Sequence, residues 1–169
     1  MGELMRWKAG DTVVHSRDGI CKIVDIREMT MTDEAKEYYI LQPVYERGSK
    51  LYIPIDKEAL FLRAPVTKAE IHEYVKKLPE TDLKWIGDEK KRMSMIADVR
   101  KTGTSETLLG LISLFYRKRT EQHEQGKKFH SSDEQFLKDI ETRVNREFAY
   151  VLGIEPGEVP AYIRETLSA

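Results

Sequence analysis

The stretch "KLYIPIDKEALFLRAPVTKAEIHEYV", Lys50 to Val75, changes its structural character halfway along. Its first part, "KLYIPI", is an aromatic and β-branched run of strand character. Pro54 has no N–H to give a neighbouring strand, so the run is expected to border a sheet or to end at a bulge. From Thr67 the spacing is helical. Thr67 and Glu70 have the spacing of a capping box, followed by Ile71, Tyr74, Val75 and Leu78, and Pro79 ends the helix. The change falls near residue 64 and predicts two domains, residues 1–64 and 65–169, in an α+β chain whose two kinds of structure are segregated.

Upstream of the boundary the strand character continues. "DTVVHS", "ICKIVDIREM" and "EYYILQPVY" are separated by turn material such as Arg17-Asp18-Gly19 and Glu46-Arg47-Gly48-Ser49. Four or five short strands within about sixty residues predict a small antiparallel barrel of Tudor or SH3 type. Downstream the pattern stays helical. One helix is expected to start at Thr81 or Asp82 and to bury Ile86, Met93, Ile96 and Ala97. The next begins near Ser105 with Leu108, Leu111, Ile112 and Phe115 as its stripe, which marks it as the central helix of a bundle. Ser131 and Glu134 have capping-box spacing before Leu137, Ile140, Val144, Phe148 and Val151, and Gly153 closes that helix. A last helix is expected over Pro160 to Leu167.

Composition sets the broad class. The chain has 169 residues, 40% of them apolar, and a formal net charge of −1. It is long enough to bury a core, and no global basic field points to nucleic acid. No apolar run approaches the roughly 20 residues of a membrane helix, and "MGELMRWKAG" lacks the apolar segment of a secretory leader. A soluble cytoplasmic protein without membrane contact is expected. The single cysteine, Cys21, lies between Ile20 and Ile23 in a strand pattern and reads as a buried thiol. His15, His72, His123 and His130 are scattered, there is no phosphate-cradling glycine loop, and no acid and base pair stands out. The reading is of a non-enzyme with no cofactor, no metal and no catalytic residue.

Local charge is more informative than the total. Between Lys84 and Lys101 six basic residues face three acidic ones, and Arg117, Lys118, Arg119, Lys127 and Lys128 form a second basic stretch against Glu121 and Glu124. Trp85 stands at the start of the first stretch, in "TDLKWIGDEKKRM". A helical wheel places it at the rim of the apolar stripe, in line with Arg92. Two readings stay open for it. An indole at the rim can cover the bundle, or, beside cations that hold phosphates, it can stack on bases or wedge into a minor groove.

The succession "GDTVVH", "GICKIVDI", "KEYYIL" and "LYIPI", followed by a helical half containing "KWIGDEKKRM", resembles the CarD/CdnL family of bacterial transcription regulators across nearly the whole chain. The barrel half is similar to the RNA polymerase-interaction domain that this family shares with the transcription-repair coupling factor. The resemblance implies strand addition to the polymerase β subunit along Lys50, Leu51, Tyr52, Ile53 and Pro54. It also implies contact with promoter DNA at the upstream edge of the transcription bubble, with Trp85 wedged into the minor groove and Lys84, Lys90, Lys91 and Arg92 beside it. The expected function is stabilisation of the open complex, from a position on the nucleoid gained through polymerase. Two alternatives are a Tudor or SH3-like adaptor without DNA contact, and a sequence-specific helix-turn-helix reader built on "LGIEPGEVPAYIRE".

Overall fold

The computed structural model describes residues 6–169; the first five residues of the expected 1–64 domain, and with them half of the stretch read for a secretory leader, lie outside the described residues. The chain divides into two compact units, one ending at Pro65 and the other running from Val66 to Ala169.

The first unit is a five-stranded antiparallel sheet in the order β4-β3-β2-β1-β5. Its strands are β1 (Thr12–His15), β2 (Gly19–Thr30), β3 (Ala35–Pro43), β4 (Leu51–Pro54) and β5 (Leu62–Arg63), with a one-turn helix α1 (Glu58–Phe61) between the last two. The hairpin from β1 to β2 turns through Gly19 at φ 75°, where a side chain would be strained. The run Tyr38 to Leu41 shows no alternation and is buried on both faces, as suits a strand inside the sheet. The register of β2 against β3 shifts between Ile23 and Asp25, which turns Val24 outward. Cys21 is buried as expected, and burial, with Asp18 and Glu46 nearby, pushes its thiol up to about 12.

A polar knot fastens the N-terminal segment to this core. The Tyr39 hydroxyl donates to the buried Glu58 carboxylate and accepts the Trp7 N–H at 3.3 Å, while the Arg6 N–H donates to Glu58 at 3.2 Å. Burial, and next the hydrogen bond to Glu58, push the Tyr39 hydroxyl up to about 12. Tyr39→Phe leaves Glu58 short of a donor in a buried site and is expected to destabilise the first unit by about 1–3 kcal/mol. Calorimetry of the full chain checks this, and the transition of the helical unit is expected to stay in place.

The second unit contains α2 (Lys68–Lys76), α3 (Glu89–Thr102), α4 (Ser105–Glu124), α5 (Ser131–Leu152) and α6 (Val159–Ser168). The capping box of Thr67 and Glu70 forms, and Ile71 and Val75 are the buried residues of α2. The buried Glu147 carboxylate accepts from the Val66 N–H at 2.9 Å and the Ser105 hydroxyl at 2.6 Å, so it ties the first residue of the unit to α4 and α5. Helix α4 buries Leu108, Leu109, Leu111, Leu114 and Phe115. Helix α5 buries Phe136, Leu137, Ile140, Val144 and Phe148, and ends at Gly153 in the left-handed region.

Three local expectations are corrected. Helix α3 does not start at Thr81 or Asp82. Its N-cap is Asp88, whose Oδ1 accepts the Lys91 N–H at 3.0 Å, and residues 81–87 carry no regular structure. The reason is packing. Leu83 fills the space that the missing side chain of Gly110 leaves, and Trp85 meets Phe115. Ala97 is consequently exposed, and the buried residues of α3 are Ile96 and Arg92. Lastly, His130 rather than Ser131 caps α5, its Nδ1 accepting the Ser132 N–H at 3.2 Å. No helix among the described residues is long and apolar enough to cross a membrane.

Candidate functional sites: a sheet edge and a tryptophan between cations

Strand β4 pairs with β3 alone and is one border of the sheet. Its register, Tyr38 against Pro54, Tyr39 against Ile53, Ile40 against Tyr52 and Leu41 against Leu51, fixes where its main-chain groups point. Pro54 has no N–H, so its pair with Tyr38 cannot exchange two hydrogen bonds and is of the non-hydrogen-bonded kind. Such pairs alternate with bonded ones. Leu51 and Ile53 therefore give their N–H and C=O groups to β3, and Tyr52 turns its own N–H and C=O outward. The side chains divide the same way. Ile53, 8% exposed, and Leu51 belong to the core, whereas Tyr52 is 41% exposed and Lys50 is exposed.

Of the five sequence-predicted residues at this edge, Lys50 and Tyr52 thus offer side chains to a partner, and Pro54 does so in part. Leu51 and Ile53 are positioned by the core. Asp25, Ile40 and Tyr52 lie on one line across the sheet. The Arg27 guanidinium, donating at 2.7 Å, and then the Ile26 N–H hold the Asp25 carboxyl below its usual range, with a smaller contribution from the charge of Lys50. The edge therefore carries both signs of charge around an exposed tyrosine.

In the helical unit Trp85 is half-buried. Its ring meets Phe115 edge-on at 4.9 Å between centroids and Phe129 at 6.0 Å, and it packs on the buried core. Two cations lie over it, the Arg92 guanidinium at 4.8 Å and the Lys118 ammonium at 5.9 Å. Arg92 does meet the Trp85 ring, but not along one helix face as the helical wheel has it, since Trp85 lies in the irregular segment before α3.

The expected DNA-contacting cations separate into two groups. Lys84, Lys90 and Lys91 are exposed and, among the described residues, have no ion-pair partner. Arg92 is different, and the expectation of a phosphate contact from it is corrected. It is 6% exposed, and its Nε donates to Asp133 at 2.8 Å while its Nη1 donates to the Ile86 carbonyl at 3.0 Å. A guanidinium enclosed and paired in this way does not reach a phosphate outside.

The structure adds what sequence spacing could not supply. Lys118, from the second basic stretch, reaches Trp85, and Phe129, which follows the exposed Lys127 and Lys128, packs against the same ring. The two basic stretches thus converge on one indole. Not all of the second stretch is free, since Lys118 pairs with Glu121 at 3.3 Å and Arg119 pairs with Glu134. The segment Leu152 to Glu165, weighed as a helix-turn-helix reader, carries Glu155, Glu158 and Glu165 against Arg164, an unfavourable charge for a phosphate backbone. Among the described residues no group of three or more His, Cys, Asp or Glu is placed to hold a metal ion.

Residues 7–66 match the family described as the CarD-like/TRCF RID domain, a match consistent with a CarD-like RNA polymerase-interacting domain. The matched residues include all five strands and the β4 edge, and helices α2 to α6 and Trp85 lie beyond them. No curated protein matches the chain.

Proposed function

We propose that this chain, built on a CarD-like/TRCF RID domain at residues 7–66, is a non-enzymatic transcription regulator. It adds the outer edge of β4 to a sheet of the RNA polymerase β subunit and lays Trp85 against promoter DNA at the upstream edge of the bubble, stabilising the open complex. The observation that carries the first half is the outward N–H and C=O of Tyr52 on a sheet edge inside the matched domain. Strand addition needs such an edge, with main-chain bonds giving affinity and exposed side chains giving selectivity.

The second half is supported by the half-exposed indole, with Lys118 over its ring and the exposed Lys84, Lys90 and Lys91 close to it in the sequence, a chemistry that suits a base face or minor groove and the phosphates beside it. A formal net charge of −1 makes free DNA binding weak. Tethering to polymerase compensates, because it raises the effective concentration of DNA at Trp85. The test is capture of polymerase by the purified full chain with and without promoter DNA. The expected result is capture in both cases, tighter with DNA. Capture that promoter DNA leaves unchanged favours the adaptor reading, and no capture removes the proposal.

Lys84, Lys90 and Lys91 changed together to Ala are expected to lower the salt slope of polymerase–promoter binding by up to about three units, one for each phosphate contact. Titration of binding against salt checks this. An unaltered slope assigns the three lysines to a solvated face.

A further inference from the structure

Among the cations around Trp85, Arg92 turns inward and bonds to the chain that carries the indole. We propose that Arg92 is a positioning residue, which holds the Trp85 ring in the orientation that DNA meets by fixing it to the buried Asp133 on α5. The proposal rests on the reading of Trp85 as the DNA-contacting ring.

Residues 81–87 have no ladder or helix to fix them, so a ring carried there needs restraint from outside. Arg92 supplies it from three sides of one planar group. Its Nε donates to Asp133 at 2.8 Å, its Nη1 donates to the carbonyl of Ile86 at 3.0 Å and approaches that of Gly87 at 3.5 Å, and its guanidinium lies 4.8 Å from the Trp85 centroid. Asp133 stands in the first turn of α5, a helix anchored in the core by Phe136 and Leu137. Restraint therefore runs from the core through Asp133 and Arg92 to the ring and to the peptide after it. Phe115 and Phe129 hold the ring by packing, which limits its depth, whereas the carbonyl bond fixes the direction of the chain that bears it.

A lysine separates geometry from charge at this position. It keeps the positive charge but has no planar fork, so it cannot pair with Asp133, reach the Ile86 carbonyl and lie along the indole at once. A phosphate contact, by contrast, tolerates lysine. Arg92→Lys is therefore expected to shorten the lifetime of open promoter complexes roughly fivefold, from the combined loss of stacking and hydrogen bonds, with the salt slope unchanged. In the free protein, with Trp7→Phe to isolate the signal, Trp85 fluorescence is expected to shift to the red and to become more accessible to acrylamide. Because Arg92 acts through the ring, Arg92→Lys adds nothing to the lifetime defect of Trp85→Ala.

Asp133→Asn, which removes the anchor but keeps its shape, is expected to repeat the fluorescence and lifetime changes, and it serves if Arg92→Lys fails to fold. Wild-type fluorescence and lifetime in the variant, when Trp85→Ala does shorten the lifetime, overturn the positioning role and leave the DNA reading intact. A further loss on adding Arg92→Lys to Trp85→Ala also overturns it, since Arg92 then acts without the ring. An unchanged lifetime for Trp85→Ala itself removes the DNA reading and this proposal with it.

Discussion

Trp85→Ala is expected to shorten the lifetime of open promoter complexes by about fivefold to tenfold while binding to polymerase stays at the wild-type level. A base stacked on an aromatic side chain contributes about 1–3 kcal/mol, and the low end applies because part of this indole is committed to Phe115 and Phe129. The half-buried ring also supports the core, so the same substitution has a second effect, on stability. A fully buried tryptophan truncated to alanine costs about 3–5 kcal/mol, and a half-buried one is expected to cost about 1–3 kcal/mol. Helical-unit stability by calorimetry and complex lifetime after competitor challenge, measured on one preparation, separate the two effects. Trp85→Phe keeps an aromatic face without the reach of the indole and is expected to recover part of the lifetime.

Tyr52→Pro is expected to weaken binding to a β-subunit fragment by about thirtyfold or more. The estimate comes from losing an exposed tyrosine anchor of about 2 kcal/mol together with an outward main-chain donor. The placement matters. The N–H of Tyr52 points away from β3, so its loss leaves the ladder of the sheet whole, whereas Ile53→Pro removes a donor to Tyr39 and damages the domain itself. Calorimetric titration of the fragment reads the affinity, and the thermal transition of the first unit reports whether the sheet survives. A folded Tyr52→Pro variant with wild-type affinity moves the polymerase contact away from β4.

The segregation of strands and helices was legible because each period runs unbroken for long stretches. "EYYIL" is an aromatic and β-branched run of strand character, the stripe of α5 repeats over its whole length, and Pro54 pointed to a sheet border or a bulge. What stayed hidden depends on contacts between distant residues. The segment 81–87 has helix-compatible residues, but Leu83 packs beside Gly110 and Trp85 against Phe115, contacts with α4 that local spacing does not reveal. Arg92 read as one cation among neighbours because its partner, Asp133, lies 41 positions away. The same holds for Lys118, which belongs to a separate basic stretch in the sequence and to the Trp85 site in space. A short signal for the cap of α5 was available in "FHSSDE", yet histidine is a less usual cap than serine, and the favoured residue type misled the reading.

Decay of open complexes formed by RNA polymerase on one promoter, timed after competitor challenge with and without the full chain, reads most directly whether the protein stabilises the open state. Slower decay with the wild-type protein, and decay close to the protein-free rate with Tyr52→Pro at a concentration that saturates the wild type but lies well below the weakened Kd of the variant, is the predicted result. Decay that stays at the protein-free rate when the wild-type chain is bound to polymerase contradicts it.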